Sequence, residues 1–273
     1  MPVISYAQNG EDILLRRVFR GQAEGFYIDV GASDPFENSI TKLFSLDGWR
    51  GVNVEPVPAM FERLRADRPG DVNLNVGVSD EAGTLRLYAM PGLESYTSIP
   101  EILTGYFQAD PDAITAHDVP VVTLREICER HAADRPIDFL KIDVDGHELP
   151  VISGGDWSRF RPRVVLVEDH GTHLWEPLLL AADYHLATFD GVNRFYVRAE
   201  EPDLIPRFSP LPNFTDDYIP YRFQRQIDHY RDLLGEAATI GPTAIKVARR
   251  LKTLANRHPA LTRIVRGTLR IDR

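Results

Sequence analysis

Apolar residues along the first two hundred positions fall into short runs that end in small or acidic residues, and a stretch of helical spacing follows most of them. Phe26 to Ala32 is the clearest run, the pattern of a buried parallel strand entering a tight turn. Gly51–Glu55, Val72–Val78, Ile137–Val144 and Arg163–Glu168 repeat it. The intervening segments predict helices: one after the Asn38-Ser39 cap through Leu43, Phe44 and Leu46, and one over Pro56–Arg68 with Met60, Phe61 and Leu64 inward. Further helices are predicted over Thr123–His131, from Glu148 to Ile152, and over Thr172–Asp183. Thr84 to Met90 alternates as a short strand after the Glu81-Ala-Gly83 turn. Pro91–Asp118 reads as irregular and polar, with one short helix near Glu101–Phe107. His185–Phe189 and Arg194–Val197, joined by Asp190-Gly-Val-Asn193, read as an antiparallel hairpin.

Strands alternating with helices predict an α/β fold whose sheet is mostly parallel and covered on both faces. A plain dinucleotide-binding fold ends in parallel strands, so a closing antiparallel strand points to a different variant. Glu200–Pro220 is rich in proline and acid and reads as an extended segment wrapping the domain. Beyond it, Ile240–Leu269 sets apolar positions among arginines and lysines, and Asn256-Arg-His-Pro259 breaks it into two helical pieces. The expected organisation is a domain over 1–200, a wrapping segment and helix over 201–235, and a basic amphipathic tail over 236–273.

Composition narrows the classes. The chain has 273 residues, 43% of them hydrophobic and 26% charged, in the globular range. A net charge of −9 argues against general nucleic-acid affinity, which needs a basic surface. From Gly241 onward nine bases face one acid, so the tail is about +8 and the remainder about −17. Such a tail suits a peripheral membrane or protein contact. The lone Cys128 rules out an internal disulfide and suits a reducing compartment. The amino terminus has no basic stretch followed by an apolar run, and no apolar stretch approaches the ~20 residues that span a bilayer. The expected location is the cytoplasm, with the tail touching the inner face of the membrane as an option.

Open α/β sheets bind ligands at the carboxyl ends of their strands. Asp29-Val-Gly-Ala-Ser33 sits at such an end, where Gly31 and Ala32 let backbone approach a ligand and Asp29 suits a cationic amine. Glu55 closes the next strand, where a carboxylate can accept from both ribose hydroxyls. Ser79-Asp80 closes the third, placed for an adenine edge. Asp34, Pro35 and Phe36 stand where a pyrophosphate would need bare backbone, so no phosphate-binding glycine fingerprint is present. A nicotinamide-dependent oxidoreductase is therefore the runner-up, and a turnover-free cofactor- or glycan-binding module a third reading.

The runs Ser5–Asp12, Tyr27–Ala32, Asn38-Ser39, Gly48–Gly51, Val54-Glu-Pro56 and Phe139–Glu148 together resemble the FkbM-type methyltransferases over roughly residues 5–200. The resemblance implies a Rossmann-like class I fold: a seven-stranded sheet, mostly parallel, with an antiparallel last strand. It also implies S-adenosylmethionine as cofactor and methylation of hydroxyls on sugars, polyketides or other secondary metabolites. It adds Gln8, Glu11, Ser33, Asn38, Ser39, Pro56 and Asp143 to the cofactor set. Gln8-Asn-Gly-Glu-Asp12 either caps the helix through Ile13, Leu14, Leu15 and Val18 or closes over the methionine end of the cofactor. Two positions depart from the family pattern: Asp145 replaces a frequent glutamate, and Ser33-Asp34-Pro35 follows the first turn.

A hydroxyl is a poor nucleophile, so a base or a metal should help it. Asp143, Asp145, His147 and Glu148 follow the fourth strand, and Glu168, Asp169, His170 and His173 the fifth. Two versions stand open. In one, Asp143, His147 or Glu168 is a general base; in the other, Asp143, Asp145, Glu168 and His170 hold a divalent ion, with oxygen-rich ligands favouring Mg2+ or Mn2+. Acceptor recognition is expected from Gly92–Asp118, with Tyr96 and Tyr106 as stacking residues. The partner expected at the site is a small-molecule or glycan acceptor.

Overall fold

The structure is a computed structural model that describes residues 2–89, 96–105, 108, 110–239, Lys246, Arg250 and Thr253. The tail reading over 240–269 otherwise lies outside the described residues, as do Tyr106 and the side chain of Tyr96. Contacts divide the chain into Met1–Tyr221 and Arg222–Arg273.

Strand β1 (Val3–Ser5) and helix α1 (Glu11–Val18) precede the first sheet strand, β2 (Phe26–Val30). Helix α2 (Lys42–Leu46), β3 (Arg50–Val54), α3 (Pro58–Asp67) and β4 (Val72–Leu74) follow. An insertion then builds β5 (Gly77–Ser79), β6 (Gly83–Ala89), β7 (Tyr96–Thr97), α4 (Pro100–Gly105) and β8 (Thr115–Thr123). The chain returns through α5 (Leu124–His131), β9 (Phe139–Ile142), α6 (Glu148–Ser153), β10 (Val164–Glu168) and α7 (Glu176–Ala181). The hairpin β11 (Tyr184–Phe189) and β12 (Asn193–Arg198) closes the sheet, and β13 (Tyr218–Pro220) and α8 (Tyr221–Thr239) end the described elements.

The main sheet has seven strands in the order β11-β12-β10-β9-β2-β3-β4. Strand β12 runs antiparallel to both its neighbours, and the other pairings are parallel. Alternation sorts the core: Phe26, Ile28, Val30, Leu140, Ile142, Val165 and Val167 face one buried cluster. Tyr27, Phe139, Val164 and Leu166 face the other, with α1, α2 and the segment around Leu204 and Phe208. Each such side chain contributes about 1.5–3 kcal/mol, so the sheet is a stiff platform for what its ends carry.

Three expectations need correction. The run 72–78 is two strands, because Asn75 donates its side-chain amide to the carbonyls of Glu55 (2.9 Å) and Pro56 (3.0 Å) and turns the chain out of the main sheet. Strand β5 then joins a second sheet of order β5-β8-β6-β7. Residues 115–118, read as irregular, belong to β8; polar, exposed positions and Pro120 hide it in the sequence. The segment 200–220 forms 3₁₀ turns (Pro202–Phe208 and Phe214–Asp216) and then β13, which pairs in parallel with the unanticipated β1.

Candidate active site

The register of the sheet assembles the site. Val30 lies opposite Val54 and Ile142, and Val167 opposite Ile142, so Gly31, Glu55, Asp143 and Glu168 leave or end four adjacent strands together. At the same ends a cavity of about 550 Å³ is lined by Gln8, Gly31–Asp34, Asn38, Glu55–Val57, Val76–Val78, Lys141, Asp143, Asp145, His147, Glu168 and His170, among others. A cavity of equal volume at the amino ends, beside Arg16, Arg20 and Trp49, has Asp47 and Asp216 as its lining acids.

One half of the site is made of strand ends and backbone. Gly31 has φ +79°, and a Cβ there would fall 1.8 Å from the Asp143 carbonyl oxygen, so only glycine lets β2 and β9 close side by side. Glu55 is buried and accepts from the backbone N–H of Ser33 and of Val57, both at 2.8 Å. Burial nevertheless pushes its carboxyl up to about 7. Val57, Met60, Val76 and Val78 supply apolar wall beside it, and Leu85, Leu87 and Ser98 bring the insertion sheet to the same cavity. This is a fit for a nucleoside: a carboxylate for a diol, apolar faces for a base, and bare backbone at Gly31.

The other half is made of side chains. Burial alone would raise Asp143, but the Lys141 ammonium 3.1 Å away and a hydrogen bond with Glu168 hold it below the usual carboxylate range. Burial pushes Glu168 up to about 8, with the Asp143 charge adding to it and the hydrogen bond to His170 opposing it. The Glu168 carboxylate, 3.0 Å from His170 Nε2, in turn lifts His170 to about 9, against its burial. His147 has both ring nitrogens engaged, Nε2 with Ser79 Oγ at 3.0 Å and Nδ1 with Ser98 Oγ at 3.2 Å, and burial lowers its pKa. It ties the insertion sheet to the turn after β9, alongside buried Thr97, which donates to the Asp145 carbonyl at 2.8 Å.

Several residues singled out from the sequence lie elsewhere. Asp29 is buried beneath the cavity, accepting from Thr41 Oγ1 at 2.6 Å, with Lys141 at 3.3 Å. Glu11 accepts from the Asn9 N–H at 2.7 Å and from Asn193 Nδ2 at 2.9 Å, bracing the turn that carries Gln8. Ser39 accepts from the buried Arg68, which also donates to Thr41, Asn53 and the Pro35 carbonyl. Ser79 ends β5 of the second sheet rather than a main-sheet strand, and Asp80 after it is exposed. Asp169 turns away to Arg194 (2.7 Å) and His173 (2.9 Å), and Glu148 accepts from the Gly146 N–H at 3.1 Å. The sequence reading passed over Lys141, although a lysine between Leu140 and Ile142 in an apolar strand is itself a signal.

An α/β sheet with β12 antiparallel to its neighbours and a cavity at the carboxyl ends of its strands is the frame of the site. The FkbM methyltransferase domain model matches residues 29–198, more than half of the chain, and the chain belongs to that family of S-adenosylmethionine-dependent methyltransferases. Among solved structures, it is similar to a TehB-like SAM-dependent methyltransferase from Corynebacterium glutamicum at 8% identity and a TM-score of 0.37. That match covers 69% of this chain and 87% of the other, and is too distant to carry an argument. No curated protein matches the chain.

Proposed function

We propose that this protein transfers a methyl group from S-adenosylmethionine to a hydroxyl of a sugar, glycan or glycosylated metabolite. The observation that supports this most is one cavity with a nucleoside-type half at Gly31, Ser33 and Glu55 and an acid–base half at Asp143, Glu168 and His170. S-adenosylmethionine, when bound, supplies an electrophilic methyl group, so the chain has to align the acceptor oxygen and accept its proton. Glu168 in its ionised form is the group proposed to take that proton, and because burial holds its carboxyl at about 8 the rate should rise with pH through that value; Asp143 is held by Lys141, and His147 is spanned between two serines. His170, ion-paired with Glu168 at 3.0 Å, orients the carboxylate. Methyl transfer to a panel of neutral glycans tests the reading; turnover of labelled cofactor with none of them, beside turnover with an amine, would replace it.

A second way of activating the acceptor rests on a specific observation. Asp145, Glu168 and His170 each offer a ligand atom, all within 4.8 Å of one another. Two carboxylates and an imidazole suit Mn2+ better than Mg2+, which takes oxygen donors. Loss of activity in chelator, restored by Mn2+, would favour this version over the metal-free one.

The charge asymmetry supports placing the protein in the cytoplasm with its tail on an anionic membrane surface. No helix among the described residues is long and apolar enough to cross a membrane. Removal of residues after Pro242 should abolish binding to anionic liposomes and leave cofactor affinity unchanged.

A further inference from the structure

We propose that Lys141 is the positioning residue for the amino-acid end of the cofactor, holding the Gly31 carbonyl and the Asp143 carboxylate in the places where a ligand ammonium meets them. The inference rests on the cofactor reading above and gives Lys141 a role toward the cofactor that this reading does not assign.

Lys141 sits in the middle of β9, between β2 and β10, and is 4% exposed. Its ammonium donates to the Gly31 carbonyl and lies 3.1 Å from Asp143 Oδ2 and 3.3 Å from Asp29 Oδ1. A buried ammonium costs several kcal/mol unless it is paired, so the strand end is arranged around it. Asp29 is itself held by the Thr41 hydroxyl, which leaves Lys141 braced from below.

The cavity has two ends. Glu55, Val57, Met60 and Val76–Val78 suit a ribose and a base, so the amino-acid end of the cofactor falls toward Gly31, Asp143 and Gln8. A carbonyl and a carboxylate are both acceptors, and an ammonium is a donor with three hydrogens. Lys141 reaches these same two acceptors from inside the sheet. It fixes them in orientation, and both residues line the cavity. Without it, the Gly31 carbonyl loses its side-chain donor and Asp143 loses the ammonium beside it.

The test compares two ligands by calorimetry: S-adenosylhomocysteine, which carries the amino-acid end, and methylthioadenosine, which lacks it. In Lys141→Met, affinity for the first should fall about tenfold or more, while affinity for the second stays within about twofold. Lys141→Arg, which keeps the charge, should recover much of the loss. A general structural role would weaken both ligands alike, and that result overturns the proposal, as does an unchanged ratio of the two affinities. Should Lys141→Met fail to fold, Lys141→Gln, which keeps a donor for Gly31, is decided on the same ratio. Failure of the unmodified protein to bind either ligand would overturn the cofactor reading itself, an outcome distinct from equal weakening in the variant.

Discussion

The two halves of the cavity are built by different means. One half is largely backbone: Gly31 pressed against β9, and Ser33 and Val57 donating to Glu55, with apolar residues from α3 and the insertion beside them. The other half is side chain: Asp143 beside Lys141, and Glu168 beside His170. Backbone geometry is fixed by the sheet register and tolerates little change. Side-chain geometry can be altered one group at a time, so the two halves can be probed separately by substitution.

Three substitutions probe that contrast, taken from the largest effect to the smallest. Glu168→Gln removes the proposed proton acceptor and should lower kcat by about 10²–10⁴-fold, with S-adenosylhomocysteine affinity nearly unchanged. An equal loss of binding would show that the two halves are not separable. Gly31→Ala forces a side chain into the Asp143 carbonyl and into a left-handed φ; S-adenosylhomocysteine affinity should fall about 100-fold in calorimetry. Glu55→Gln should cost about tenfold in the same assay.

The last variant has a pH signature. The Glu55 carboxyl is raised to about 7, so below that pH it is protonated and accepts less well from a diol. Cofactor affinity should therefore rise as pH increases from 6 to 8 and level off above it. In Glu55→Gln the slope should vanish. A slope that survives the substitution would assign the titration to another group.

The same contrast explains what could be read from the sequence. The run Phe26–Ala32, the acid at 55 and the apolar strand ending at Asp143 mark strand ends, and hydrophobic periodicity is enough to find those. The antiparallel β12 was legible for the same reason. Asn75 redirecting the chain was not, because its effect depends on carbonyls at positions 55 and 56 that become neighbours only in the fold. Ser79 and Asp80 were placed at a main-sheet strand end on that account. Asp29 and Ser39 look like ligands in a motif, yet they serve Lys141, Thr41 and Arg68, partners that come from β9, the segment before α2 and the end of α3. The division of labour among Asp143, His147 and Glu168 was also hidden, since it depends on which has Lys141 beside it and which is spanned by two serines.

The central claim is that the strand-end cavity is a site for S-adenosylmethionine rather than for a dinucleotide. Calorimetric titration of the unmodified protein with S-adenosylhomocysteine and, separately, with NAD tests it most directly. The account predicts saturable one-to-one binding of S-adenosylhomocysteine and no binding of NAD; heat from NAD alone would contradict it.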